Sequence, residues 1–192
     1  LMDQMASSVG SFVEIDFKDT EHPIIEKVPY DFAHSGYALC IVDTHGNHAD
    51  LTDEYAAMPI EMKKVAKMLG SEVLRETDEG EFYQKIPEIR KECGDRAVLR
   101  AIHFYDDNNR VPKEAAALQS NDFDAFKSLI IESGRSSYMY LQNAYCCKTP
   151  HEQGLSLALA LSEKILNGKG AWRVHGGGIA GTIQAFVPND ML

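Results

Sequence analysis

The stretch from Ala171 to Pro188 constrains the fold more than any other part of this chain. Trp172 and Val174 on one side, and Ile183, Ala185 and Val187 on the other, alternate with their neighbours at the period of a half-buried strand. Between them lie Gly176, Gly177, Gly178 and Gly181. Glycine reaches backbone angles closed to other residues and lets one backbone press against another. A strand–loop–strand hairpin follows. The loop lacks the Lys-Ser/Thr pair of a Walker loop and does not lead from a strand into a helix, so neither nucleotide fingerprint fits. Two readings stay open at this point, an ordinary tight turn and a phosphate cradle.

Upstream, the order of elements is strands and then helices. Phe12 to Phe17 alternates as a strand, Ile24 to Val28 is a weaker one, and the apolar run Tyr37 to Val42 is expected to be a buried strand. Three strands so close together suggest one sheet region, with the opening helical segment from Leu1 packed on it. From Thr52 the period becomes helical, with Met58, Met62, Val65 and Leu69 on one face and Gly70 at the end. Helical patterns recur at 82–93, 95–118, 120–133 and 137–145. Pro59 is expected to kink its helix or mark its true first turn, and Pro112 to kink or break its own, while Gly134 is expected to stop the pattern over 120–133. Thr149-Pro150-His151-Glu152 reads as a capping box that opens a helix over 150–167. Strands, then helices, then a hairpin is the order of an α+β fold.

The net charge of −10 over 192 residues argues against nucleic acid or an anionic membrane as a main partner, since both need clustered Lys and Arg. No apolar run approaches the roughly 20 residues of a membrane-spanning helix, and no basic-then-apolar leader opens the chain. Cys40, Cys93, Cys146 and Cys147 form no CxxC pair and read as reduced thiols. Together these give the expectation of a cytoplasmic protein. The chain starts inside an amphipathic pattern with no cap and no methionine at position 1, so the expectation is a fragment of something larger.

Few side chains suggest chemistry. Asp43, His45, His48 and Asp50 are metal-ligating types at a spacing that matches no zinc motif, and they read as a solvated loop; no metal site is expected. Asp3 sits among Met2, Met5 and Ala6, where it is either a tuned general base or an exposed carboxylate. Arg135 reads as part of a solvated turn, and Tyr138, Tyr140 and Tyr145 as packing at helix surfaces.

Three segments carry a resemblance to a known family. Met2-Asp3-Gln4-Met5-Ala6-Ser7 with the strand Val13 to Asp16 resembles the Met-Asp-Gln segment and following strand of galactokinases. His48-Ala49-Asp50-Leu51-Thr52-Asp53-Glu54-Tyr55 resembles that family's "H-x-L-x-x-S-E-Y" stretch. Arg173 to Gly181 resembles the C-terminal glycine-rich motif of the GHMP kinase superfamily, which groups galactokinase with homoserine, mevalonate and phosphomevalonate kinases. The segments stand in the family's order along essentially the whole chain. Ala56, Ala57, Met58 and Pro59 follow the tyrosine where the family carries Asn and two Arg, and His175 replaces a Thr.

The resemblance implies the C-terminal portion of a galactokinase. Residues 1–45 would be the tail of the N-terminal ATP-binding domain, and 46–192 the C-terminal domain, helices packed on an antiparallel sheet. It implies transfer of the γ-phosphoryl of MgATP to the C1 hydroxyl of galactose, with Asp3 as catalytic base and Tyr55 on the sugar. Gly176, Gly177, Gly178 and Gly181 would buttress the phosphate loop, which lies upstream in the family and is missing here. ATP and Mg2+ are the implied cofactors. A chain without its phosphate loop is expected to be inactive alone, and its open strand edges could pair it with a second copy. A non-catalytic sugar sensor of the same fold, and a kinase for another small alcohol, are the alternatives.

Overall fold

The computed structural model describes residues 2–46 and 51–192. The chain opens with helix α1 (Met2–Val9) and the antiparallel hairpin β1 (Phe12–Asp16) and β2 (Ile24–Val28), which is a two-stranded sheet of its own. Strand β3 (Tyr37–Asp43) does not join that hairpin. It pairs antiparallel with β5 (Thr182–Pro188) from Tyr37 opposite Pro188 to Asp43 opposite Thr182. Strand β4 (Ala171–His175) pairs with the other side of β5, giving the order β3-β5-β4. The single sheet expected from the first three strands is therefore two, because a chain-distant partner captures β3.

Among the described residues five α-helices separate β3 from β4: α2 (Thr52–Met68), α3 (Glu79–Cys93), α4 (Asp95–Gln119), α5 (Phe123–Ser136) and α6 (Gly154–Leu166). The sheet lies between α5, backed by α4, and α6. Ala171 and Phe186 pack with Phe126 and Ile130 of α5, while Val174 and Ile183 pack with Leu155 and Leu159 of α6. The alternation along β4 and β5 sends successive side chains to the two layers. Phe12, Tyr30, Phe32 and Phe123 bring the β1–β2 hairpin onto the first layer. Helices α2, α3 and α4 close a second core around Val65, Phe82, Ile89, Ala101 and Tyr105.

Several local expectations give way to tertiary contacts. Strand β3 is not buried. It is an edge strand whose Leu39, Ile41 and Val42 are 47%, 50% and 43% exposed. Pro59 and Pro112 both sit inside helices that continue past them; each removes one ladder hydrogen bond while the buried neighbours Met58 and Val65, or Ala115 and Leu118, hold the helix in place. Helix α5 runs through Gly134 to Ser136. Gly134 is there for close approach, since a Cβ would stand 3.0 Å from the Trp172 carbonyl oxygen and 3.1 Å from Arg173 Cβ. The capping box does not form either. Helix α6 starts at Gly154, and the buried Thr149 hydroxyl has no partner among the described residues. A Cβ on Gly154 would lie 3.1 Å from Thr44 Cβ, so the packing of the helix start against the end of β3, rather than local capping, sets its beginning.

Candidate functional site

The hairpin loop and the first turn of α2 enclose a cleft of about 540 Å³, lined by Leu51, Thr52, Tyr55, His175, Thr182 and the loop from Gly177 to Gly181. Two of the three segments singled out in the sequence thus meet in space. Gly177 lies against Tyr55, and a Cβ there would fall 2.6 Å from the phenol oxygen. Gly178 has φ +79° and a Cβ on it would lie 2.7 Å from Asn143 Nδ2, so both backbone angle and space demand glycine. Gly176 and Gly181 also have positive φ, as does the buried Ile179.

Asn143, which sequence reasoning passed over, holds the loop. Its Nδ2 donates to the Gly177 carbonyl at 3.2 Å, its own carbonyl accepts from the Ile179 amide, and its Oδ1 accepts from the buried Ser137 hydroxyl. Asn143 is 3% exposed. It follows a π-helical turn over Ser137–Leu141 that ends at Gln142 in the left-handed region. On the other side of the loop, the Thr44 amide and hydroxyl both donate to the Gly181 carbonyl, at 2.9 and 2.7 Å. No local pattern announces these clamps, because Asn143 and Thr44 are far from the glycines in sequence.

An ion-pair network fixes the helix that carries Tyr55. Arg96 pairs with Glu61 at 2.6 Å and with Glu54 at 3.3 Å, and Lys148 reaches Glu54 at 3.0 Å. The hydrogen bond from Lys148 holds the Glu54 carboxyl below its usual range, with the nearby charges of Lys148 and Arg96 adding to it. Arg100, 1% exposed, donates to Glu61 at 2.8 Å and to the Leu141 carbonyl at 3.0 Å. Helix α2, helix α4 and the turn before Asn143 are therefore tied through one guanidinium.

Asp3 lies on the exposed face of α1 and does not line the cleft, so the structure does not bring it to Tyr55. Asp43 and His45 form an exposed pair at 3.3 Å; His48 and Asp50 lie outside the described residues. Among the described residues no three His, Cys, Asp or Glu side chains gather as metal ligands, and no helix is long and apolar enough to cross a membrane. Arg135 and Tyr138 border a second cavity of about 350 Å³ with Leu159, Glu163 and Trp172. All four cysteines are free.

The cleft offers hydroxyls from Thr52, Tyr55 and Thr182, the His175 imidazole, loop backbone and one aromatic face, and among the described residues no Lys, Arg, Asp or Glu lines it. Such walls suit an uncharged, hydroxyl-rich ligand: polar groups fix orientation and the ring covers an apolar face. They do not suit a triphosphate, which calls for cations. The described residues of these walls thus supply no cation to pair with a nucleotide's phosphates.

The fold is that of an α+β protein with a solved counterpart. The galactokinase of Lactococcus lactis, determined in complex with galactose, superposes with a TM-score of 0.64 at 20% identity, over 93% of this chain and 43% of that one. The chain is also similar in sequence to galactokinases along its whole length. It is 26% identical over 191 residues to the galactokinase of Actinobacillus pleuropneumoniae, 27% over 189 residues to that of Streptomyces coelicolor, and 31% over 136 residues to that of Thermotoga neapolitana. These alignments cover 100%, 97% and 71% of this chain and 47%, 46% and 36% of the relatives. The chain thus spans slightly less than half the length of the first two, and corresponds to a C-terminal portion. No family model matches.

Proposed function

We propose that the chain is the sugar-site portion of a galactokinase-like kinase, and that the 540 Å³ cleft binds galactose. The observation that carries this reading is the meeting of Tyr55 with the Gly176–Gly181 loop around uncharged polar walls. The full reaction would be phosphoryl transfer from MgATP to the C1 hydroxyl of galactose. In it, Tyr55 and the loop hold the sugar, and Asp3 accepts the hydroxyl proton, a role worth about 10²–10⁴-fold when the carboxylate is in reach. In this reading residues 1–45 belong to the ATP-binding domain, the glycines brace a phosphate loop supplied by other residues, and the nucleotide and its Mg2+ are held by groups outside this chain. The setting is cytoplasmic.

The exposed position of Asp3, away from the cleft, favours a second reading, a sugar-binding relative that does not phosphorylate. Saturation-transfer NMR on the 192-residue chain with galactose, glucose, homoserine and mevalonate tests the shared part. Galactose should show the strongest transfer, and a preference for homoserine or mevalonate would overturn the sugar assignment. Incubation with galactose and MgATP should then yield no sugar 1-phosphate. Its formation would exclude both the sensor and the assignment of nucleotide binding to residues elsewhere.

A further inference from the structure

The cleft has two walls that come from distant parts of the chain. Tyr55 stands on the first turn of α2, and the Gly177–Gly181 loop stands between β4 and β5. The distance between them decides whether one small ligand touches both, so a group that fixes it bears on binding. The loop wall hangs on Asn143, which follows the π-helical turn Ser137–Leu141 closely in sequence. The α2 wall is held further along its helix, at Glu61. Behind the cleft the walls are joined in several ways. Leu141 packs with Met58, Ile179 and Ala180, but apolar contact is non-directional and tolerates sliding. Lys148 reaches Glu54 from an exposed position, and such pairs hold geometry weakly. Arg100 differs from both.

We infer that Arg100 is a positioning residue for the cleft, setting the distance between Tyr55 and the glycine loop. Its Nη1 donates to Glu61 Oε2 at 2.8 Å and its Nε to the Leu141 carbonyl at 3.0 Å, so one rigid plane grips both walls. The side chain is fully buried, and there a shift that breaks either bond leaves a polar group unpaired. Sliding of α2 against the turn breaks one bond or the other. Glu61 is locked in turn by Arg96, which donates to both of its oxygens. Leu141 ends the π-helical turn just before Gln142 enters the left-handed region. The position of its carbonyl therefore carries over to Asn143 and, through that residue, to the Gly177 carbonyl and the Ile179 amide. A lysine here would keep the charge but gather its donors on one flexible head. Arg100 lines no part of the cleft and acts through Tyr55 and Asn143. The inference rests on the sugar-site reading only for the ligand that the spacing serves.

Arg100→Lys tests this on the whole 192-residue chain with two readouts. Without ligand, the original chain should show a nuclear Overhauser effect between the Tyr55 ring and the Gly177 α-protons, which lie against each other. The variant should lose it while the amide shifts of α5 and α6 stay in place. With galactose, the variant should bind about tenfold more weakly, the worth of one well-placed hydrogen bond. Ile130→Val, a destabilising change in a separate core, should leave both readouts unaltered. Equal losses there would reduce Arg100 to a structural role and overturn the proposal. So would an Arg100→Lys chain that keeps the contact of Tyr55 with Gly177 or binds galactose as tightly as the original. If the original chain binds no galactose, the sugar reading fails and the Overhauser contact alone decides on Arg100. If Arg100→Lys does not fold, Glu61→Gln, which removes the charge from the same tie and keeps its shape, is judged by the same two readouts.

Discussion

Replacing Asn143 with Ala isolates the clamp on the glycine loop. The substitution keeps the backbone bond from the Ile179 amide and removes two side-chain bonds, to the Gly177 carbonyl and from the Ser137 hydroxyl. Ser137 is 2% exposed, so its hydroxyl is left buried without that partner. An unsatisfied buried polar group costs about 1–3 kcal/mol, and two bonds lost at one site give about 2–5 kcal/mol. With a urea slope of about 2 kcal/mol/M, the unfolding midpoint should fall by about 1–2.5 M. Because Gly177 lies against Tyr55, the Ala variant should also broaden the Tyr55 ring resonances. A loss below about 0.5 kcal/mol, the range of ordinary surface substitutions, would refute the claim that Asn143 holds the loop.

Two further outcomes follow from buried charge. Arg100→Met strips Glu61 and the Leu141 carbonyl of a fully buried donor while Glu61 keeps Arg96, and should lower stability by about 1–3 kcal/mol in chemical denaturation; a loss under about 0.5 kcal/mol would mean the guanidinium is dispensable. His103 is 7% exposed, bonded to the Ser136 hydroxyl at 2.9 Å and 3.5 Å from Asp107. Burial pushes its pKa down, with Arg173 and Arg110 adding to this and Asp107 opposing it. The folded chain then takes up this proton at lower pH than the unfolded one, so stability present above the unfolded value of about 6.5 drains away as pH falls through the lowered folded value. Glu114, raised chiefly by burial, acts in the other direction, favouring the fold at acid pH. Thermal unfolding between pH 7 and 5 should therefore flatten in His103→Gln; an unchanged slope would refute the assignment.

The parts of this fold legible in the sequence are those whose signals are local. The hairpin declared itself because alternation and glycines sit side by side, and α5 because Phe123, Phe126 and Ile130 recur at helical spacing. The start of α6 was not legible, since Gly154 answers to Thr44 rather than to the Thr149 cap. Strand β3 looked interior because an apolar run records how much a strand wants covering, and nothing in it says what covers it. At the site, Tyr55 and the glycines could be picked out, but Asn143 and Arg100 could not. Each acts on a partner tens of residues away, and an isolated Asn or Arg carries no period or spacing to mark it. Asp3 was legible as a candidate only, and the structure leaves it on an exposed helix face.

The location of the sugar site is the claim on which the rest depends. Titrating galactose into isotope-labelled chain, and following backbone amides by heteronuclear NMR, tests it directly. The largest shifts should fall on Gly176 to Thr182 and on Thr52 and Tyr55, and Tyr55→Ala should abolish them. Shifts centred on the cavity around Arg135, Leu159 and Trp172, or none at all at millimolar galactose, would contradict the account.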